Sequence, residues 1–172
     1  MKKITIIVCL LFIGLVANAQ EEYYNANIKT QLKDLNVMVG SWEGTGWASN
    51  PKTREKMDFT QHEDISYALD STIIIVKGKG TSNEKIIHDA FAVISNNPNG
   101  GYFMTSFLGD GKEGKYELVG SKGNYVWKIP TPQGQVIYTM QITEETWKEV
   151  GEFEMEGKRY PFFEMNLKKI NN

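Results

Sequence analysis

Residues 39–47 read Val-Gly-Ser-Trp-Glu-Gly-Thr-Gly-Trp, and the character of the chain changes at this stretch. Before it, residues 27–39 carry apolar side chains at close to helical spacing, which predicts one short helix. After it, runs rich in Val, Ile, Thr, Phe, Tyr and Trp alternate with turn residues at short and fairly even intervals. The stretch therefore marks the start of an all-β domain.

Turn-rich breaks divide the remainder of the chain into ten predicted strands. The breaks fall at residues 50–51, 70–71, 78–83, 96–101, 109–111, 120–124, 130–134, 143–145 and 156–158. Connections this short cannot carry the crossover that a parallel pair needs, so neighbouring strands should pair antiparallel. Closing the sheet removes both exposed edges of a strongly twisted array. We expect a ten-stranded antiparallel up-and-down β-barrel with a short N-terminal helix, in one domain over residues 20–172.

The first 19 residues have the pattern of a secretory signal peptide. Two lysines precede an apolar run over residues 4–16, and residues 17–19 read Ala-Asn-Ala, the small-residue pattern that signal peptidase cleaves. The run is short for a bilayer span and is followed by a polar chain, so stable membrane insertion is not expected. The pattern predicts a secreted or periplasmic protein whose mature chain begins at Gln20.

Cysteine usage and charge narrow the classes of function. Cys9 lies inside the apolar run and follows a valine, so we assign it to the removed peptide and not to a lipid anchor. A mature chain without cysteine has no disulfide, thiolate nucleophile or cysteine-ligated metal. Removing the two signal-peptide lysines from 19 basic residues leaves 17 against 21 acidic ones, a net charge of −4. A nucleic-acid partner is therefore not expected.

Period-two alternation places polar side chains inside the predicted barrel. On the second strand, Gln61 and Glu63 share the apolar face, which should point inward, and His62 points to solvent. On the ninth strand, Glu149 shares a face with Trp147 and therefore also points inward. On the fourth strand, alternation does not decide which of two sets of side chains points inward. These are His88, Ala90, Ala92 and Ile94, or Ile87, Asp89, Phe91 and Val93.

The predicted interior is rich in aromatic side chains and methionine and carries a few polar groups. Such a lumen suits a mostly apolar molecule with one polar end. The candidate ligand-binding residues are Gln61, Glu63, His88, Trp127, Tyr138, Glu149 and Phe163. The alternative is a barrel filled by its own side chains, with the polar groups in water at the rims.

Three stretches resemble known barrel families. Gly40-Ser41-Trp42 resembles the first strand of the calycin superfamily, and this resemblance implies structural roles for Gly40 and for Trp42 at the barrel floor. The longer run over residues 40–46 looks like the ten-stranded nitrobindin-type barrels, which bind heme through a C-terminal histidine. Residues 59–65 and 147–167 look like an uncharacterised family of bacterial calycin-like domains. Because no histidine follows His88, heme binding is less favoured and no cofactor is expected.

Three hypotheses follow for function. The first is an exported, lipocalin-like barrel that binds a small lipophilic molecule in its lumen. The second is a barrel isomerase or hydrolase in which Glu63 and Glu149 perform acid and base chemistry. The third is a packed barrel that acts as a surface interaction module. The Gly-x-Gly-x-x-Gly match at residues 109–114 falls in a predicted hairpin and opens no helix, so it is interpreted as turn chemistry. No catalytic or metal-binding residue is assigned.

Overall fold

The computed structural model describes residues 25–50 and 53–170. Within these ranges a short helix α1 is followed by one 3-10 segment and ten strands. Their bounds are α1 Ala26–Leu32, the 3-10 segment Lys33–Met38, β1 Gly40–Ser49, β2 Lys56–Ala68, β3 Ile73–Ser82, β4 Lys85–Asn96, β5 Tyr102–Leu108, β6 Glu113–Ser121, β7 Asn124–Thr131, β8 Gly134–Ile142, β9 Thr146–Met155 and β10 Lys158–Ile170. The predicted signal peptide lies outside the described residues.

The strands form a closed antiparallel barrel in sequential order. Closure is made by β1, which pairs with β2 on one side and with β10 on the other. Thr45, for example, lies between Thr60 and Asn166. The predicted fold class is therefore confirmed. Neither helical segment of the described chain has the length and apolar character needed to cross a membrane.

One predicted break is wrong. Residues 78–83 were expected to form a turn, whereas β3 continues to Ser82 and the turn is made by Asn83 and Glu84, both with positive φ. The reason is that Gly78 and Gly80 are strand residues whose missing side chains leave space inside the barrel. The register also shifts between Gly80 and Thr81, which marks a bulge at this end of the strand.

The N-terminal helical segment closes one end of the barrel, here called the plugged end. Asn25 caps α1, because its side chain accepts hydrogen bonds from the backbone N–H groups of Asn27 and Ile28. Leu32 and Leu35 are fully buried in the core. The segment thus presents an apolar face to the barrel interior and its polar remainder to solvent.

Trp42 forms the floor of the lumen above this plug. Its side chain is fully buried, its indole N–H donates to the carbonyl oxygen of Met38 at 2.8 Å, and its ring meets Trp147 edge-on with centroids 5.8 Å apart. Gly40 begins β1 with a φ of +133°, a conformation that L side chains rarely adopt. A glycine at this point lets the chain turn from the 3-10 segment into the strand.

The fourth strand adopts the first of its two alternatives. Ala92 and Ile94 are buried inside the barrel, whereas Ile87 and Phe91 are exposed on the outer face. Ala92 pairs with Val76 and Ile94 with Ile74 of β3. The small alanine side chains leave room on this side of the lumen.

Candidate functional site

The lumen has two regions that differ in how tightly they are packed. Side chains facing inward near the plugged end are buried, among them Trp42, Ile65, Ile94, Leu118, Ile142 and Leu167. Farther from the plug, many side chains that face inward are only half-buried. They include Met104, Ser106, Tyr116, Trp127, Tyr138 and Phe163. The inward-facing side chains of this second region, here called the open half, therefore retain accessible surface.

Gln61 and Glu63 form a buried polar pair on β2. Along the strand, the pair lies next to the apolar floor formed by Trp42. The side-chain amide of Gln61 donates to Oε1 of Glu63 at 2.6 Å. Across the sheet, Glu63 pairs with Trp42 and Gly78, and Gln61 with Gly44 and Gly80. Burial raises the pKa of Glu63 to about 7, against the opposing effect of the Gln61 hydrogen bond.

Glu149 lies on β9, one inward position above Trp147. Trp127 on β7 donates its indole N–H to Oε1 of Glu149 at 3.3 Å. Burial raises the pKa of Glu149 to about 8; the Trp127 hydrogen bond opposes this rise, and the charge of Glu63 adds to it. The nearby Trp147 indole also favours the ionised form of Glu149. The Trp147 indole nitrogen itself lies outside hydrogen-bond geometry and is buried without a partner in the described chain.

Glu63 pairs with Trp42, and Glu149 pairs with Met140 and Met165. Because these partners are all buried inside the barrel, the two carboxylates face one lumen. We call Glu63 and Glu149 the carboxylate pair. None of the ion pairs formed by the described residues involves either of them. A buried carboxylate without a counter-charge is costly, which explains why both groups hold a proton to higher pH than usual.

Five aromatic side chains form a continuous series of ring contacts in the open half. Phe59 stacks on Phe163 at 5.7 Å, Phe163 meets Tyr138 edge-on at 5.9 Å, and Tyr138 stacks on Trp127 at 4.2 Å. The series ends with Tyr116, 5.2 Å from Trp127. These residues come from β2, β10, β8, β7 and β6, and we call them the aromatic wall. Through the Trp127 hydrogen bond the wall is joined directly to Glu149.

His88 lies at the other end of the lumen from the plug. It pairs with Gly80 across β3 and β4, and a Cβ added at Gly80 would lie 3.2 Å from the Cβ of His88. The residue is exposed, while surrounding protein atoms lower the pKa of the imidazole and Asp89 acts in the opposite direction. The structure thus places His88 at the mouth and not beside the carboxylate pair.

His62 lies on the outer surface, in a row of polar side chains across β1 and β2. Its two ring nitrogens lie 3.0 Å from Asp64 and 3.2 Å from Glu43, and Ser41 donates to Asp64 at 2.6 Å. Because the serine hydroxyl bonds to the carboxylate and not to the imidazole, this is not a Ser-His-Asp nucleophile. In the residues described, no group of three or more His, Cys, Asp or Glu side chains could hold a metal ion.

A second recess lies near the β3–β4 turn and has a volume of about 700 Å³. It is an open groove lined mainly by polar residues of the outer surface, including Thr45, Asp58, Thr60, Asn83 and Glu84. None of the seven predicted ligand-binding residues borders it. Phe59 of the aromatic wall also borders the groove, so the groove and the lumen share this residue.

Alternation located the polar lumen residues, but other parts of the site were not recognised. Gly78 and Gly80 make the space occupied by Glu63 and Gln61. Phe59 and Tyr116 lie on inward faces, as alternation predicts, and complete the aromatic wall, although they were not among the predicted ligand-binding residues. The signal for the glycines was available in the sequence, because two glycines at alternate positions of one strand leave a gap on a single face. Contacts between strands distant in sequence had no comparable signal.

Comparisons with known proteins support the fold. No family model matches the chain, and no curated protein matches it in sequence. Among solved structures, Rv2717c from M. tuberculosis aligns with a TM-score of 0.63 and 11% identity, over 82% of this chain and 98% of that one. The S-type phycobiliprotein lyase CPES from Guillardia theta aligns with a TM-score of 0.54 and 12% identity, over 81% and 92% of the two chains. At these identities the likeness concerns the barrel fold alone.

Proposed function

We propose that this protein is an exported barrel that binds a small lipophilic molecule in its lumen. The observation that carries the proposal is the contrast between the two regions of the lumen. One end is sealed by the helical plug and the Trp42 floor, whereas the aromatic side chains of the open half retain accessible surface while pointing inward. A concave, mostly apolar space with a few polar groups is the usual form of a small-molecule site.

The chemistry of the lumen sets the character of the ligand. Trp127, Tyr138 and Phe163 offer ring faces and edges to an apolar body. Gln61, Glu63 and Glu149 are buried polar groups that would meet one polar end of the molecule. The fold likeness to a phycobiliprotein lyase is compatible with a lumen that holds a small molecule.

The test begins with the protein as purified from its native host. Its organic extract is examined by mass spectrometry for lipids and pigments, and recovery of one compound at near-stoichiometric amount is the expected result. A variant that fills the lumen, Ala90→Phe, should lose the compound because Ala90 faces inward on β4. The matched control is Asp89→Phe, which adds the same ring on the outer face of the same strand. Equal ligand content in both variants would overturn the proposal.

A second candidate function is acid and base catalysis by the carboxylate pair. It is favoured by the pKa values of about 7 and about 8 for Glu63 and Glu149, which suit proton transfer near neutrality. The compound recovered above can be returned to the protein in D2O and followed by NMR. Exchange of its carbon-bound protons that is lost in Glu63→Gln would establish catalysis, and an unchanged compound would favour simple binding.

Export is tested separately from binding. The proposal expects the full chain, expressed in a bacterial host, to accumulate outside the cytoplasm with an N-terminus at Gln20. Cell fractionation followed by N-terminal sequencing provides the measurement. An uncleaved chain in the cytoplasmic fraction would contradict export and leave the lumen proposal untouched.

A further inference from the structure

We propose that the lumen selects a lipophilic cation, that is, an ammonium group carried on an apolar body. The inference deepens the proposed function and rests on it, because it assumes that the lumen is the binding site. It is carried by the juxtaposition of two buried carboxylates without counter-charges and a series of aromatic rings in contact with one of them.

The first argument is the charge of the lumen. Gln61, Glu63 and Glu149 are its buried polar residues, and both ionisable groups among them are acidic. The basic residues with inward register positions lie toward the two ends of the barrel, and Lys158, which pairs with Met155 beside the β9–β10 turn, is exposed. His88 is exposed at the mouth, and Lys169 lies at the plugged end with its ammonium 4.9 Å from the centre of the Trp42 ring. A ligand cation would therefore supply the missing counter-charge.

The second argument is the position of the aromatic wall. Ring faces attract cations, and Trp and Tyr do so more strongly than Phe. Trp127 joins the two features, since its indole N–H donates to Glu149 while its ring stacks on Tyr138. A carboxylate beside several aromatic rings is a suitable environment for an ammonium group, which is attracted by both and needs no specific hydrogen-bond geometry.

The third argument concerns the ligands that the lumen would reject. At a pH where the pair is ionised, an anionic amphiphile such as a fatty acid would place its carboxylate beside two groups of the same charge, with no cation to receive it. Like charges brought together in a poorly solvated site repel strongly. The same lumen that favours an ammonium group should thus discriminate against an anion of equal length.

Cation binding should be coupled to proton release from the pair. A cation binds the ionised carboxylates, whereas burial keeps Glu63 and Glu149 protonated to pKa values of about 7 and about 8. The charged groups that influence Glu63 are His62 and Asp64 on its own strand, and its partners on β1 and β3 are the uncharged Trp42 and Gly78. Glu149 is influenced by Glu63 and the two indoles, and its neighbours on β8 and β10 are Met140 and Met165. Affinity for a cation of fixed charge should therefore increase with pH from 5.5 to 8.

The experiment compares three probes of equal chain length at concentrations below micelle formation: decyltrimethylammonium, decanol and decanoate. Tryptophan fluorescence of the full mature chain reports binding. At pH 8 we expect the ammonium probe to bind about tenfold or more tightly than decanol, and decanoate to bind weakest. At pH 5.5 the advantage of the ammonium probe should fall by about tenfold. In weakly buffered solution at pH 6.5, its binding should release protons.

Variants connect the preference to the carboxylates. The double variant Glu63→Gln/Glu149→Gln keeps side-chain size and hydrogen-bond acceptors, and it should bind decanol as before while losing the ammonium preference. The control Glu117→Gln/Glu144→Gln makes the same change of net charge at exposed positions and should retain the preference. Thermal unfolding confirms that both variants are folded.

The outcomes separate the two proposals. Equal or tighter binding of decanol or decanoate, or a preference that survives the Glu63→Gln/Glu149→Gln change, overturns the cation inference while lumen binding stands. A neutral or anionic compound recovered from the native protein, with no ammonium binding, gives the same result. If no probe binds and nothing is recovered from the native protein, the proposed function itself fails.

Discussion

The carboxylate of Glu63 occupies the space that a side chain at Gly78 would fill. The two residues pair directly between β2 and β3, and a Cβ added to Gly78 would lie 2.6 Å from Oε1 of Glu63. The arrangement repeats two residues away, where a Cβ on Gly80 would lie 2.5 Å from Oε1 of Gln61. A gap in one strand thus accommodates the polar side chains of the next.

Gly78→Ala should therefore destabilise the protein through Glu63. The added methyl group would push the carboxyl group away and break its hydrogen bond with Gln61. At pH 5, where both acids are largely protonated, we expect the free energy of unfolding to fall by about 1 to 2 kcal/mol, as for the loss of a buried hydrogen bond. Urea denaturation followed by fluorescence measures the change.

A double-mutant cycle tests whether that contact is the cause. In a Glu63→Ala background the carboxyl group is absent, so Gly78→Ala should cost little or even stabilise the strand. The effect of alanine on the unfolded chain is the same in both backgrounds and cancels in the cycle. An equal cost in the two backgrounds would show that the contact with Glu63 is not responsible.

Stability should fall as the pH rises from 5 to 9, because the pKa values of Glu63 and Glu149 are raised by burial to about 7 and about 8. A carboxyl group with a raised folded-state pKa contributes stability that is present below its ordinary pKa of 4.5 and is lost as the pH rises through the folded-state value. Glu149→Gln removes one such group. At pH 9 the variant should be more stable than the unmodified protein by up to about 5 kcal/mol, from about 1.4 kcal/mol per unit of pKa difference.

The comparison at pH 5 is the internal control for this prediction. There Glu149 is protonated, and glutamine retains an oxygen that can accept the Trp127 hydrogen bond, so the two proteins should unfold at similar urea concentrations. Glu117→Gln, at an exposed position, should leave the pH profile unchanged. A Glu149→Gln variant that loses stability at pH 9 would mean that a counter-charge already compensates Glu149.

The two histidines should titrate on opposite sides of the ordinary value of 6.5. The pKa of His62 is raised, first by its hydrogen bond with Asp64 and less by Glu43, whereas desolvation by surrounding protein atoms lowers the pKa of His88. NMR titration of the ring protons measures both, and His62→Asn assigns the signals. Asp64→Asn should lower the pKa of His62 more than Glu43→Gln does.

The sign of the accompanying stability change follows from the raised pKa. The stabilisation from His62 should be complete below pH 6.5 and be lost as the pH rises through its folded-state value. Because the ion pairs are exposed, the effect should be small. A measured pKa below 6.5 for His62 would show that the row of polar side chains is not formed in solution.

The barrel could be predicted from the sequence because its determinants are local. Turn residues bound nearly every strand, and the alternation along β2 and β9 identifies the face that carries Glu63 and Glu149. The error at residues 78–83 has a physical cause. Glycine serves equally in a turn and beside a bulky neighbour, and the sequence of one strand does not distinguish the two uses.

The site could be predicted less completely because its contacts cross the barrel. Trp127 and Glu149 come from strands separated by β8, so the hydrogen bond between them reaches over an intervening strand. The fourth strand was ambiguous for a related reason. Apolar side chains lie on both its faces, with Ile94 buried inside and Phe91 exposed outside, so alternation alone could not choose.

Three tyrosines from separate strands hold the plug onto the barrel, and their hydroxyl groups should control its mobility. Tyr67, Tyr102 and Tyr125 donate to the carbonyl oxygens of Leu32, Gln31 and Asp34 at 3.3, 3.1 and 2.6 Å. Burial raises the pKa of Tyr102 to about 12, so the hydroxyl remains a donor throughout the neutral range. Each Tyr→Phe change removes one hydrogen bond while retaining the ring.

We expect each of these substitutions to lower the free energy of unfolding by about 0.5 to 1.5 kcal/mol, with Tyr125→Phe the largest because its bond is the shortest. The triple variant should show faster amide hydrogen exchange over residues 26–38, while the strands away from the plugged end exchange as before. Tyr160→Phe is the control, since Tyr160 is exposed. Uniform acceleration across all ten strands would instead mean that the tyrosines stabilise the whole barrel and that the plug does not open independently.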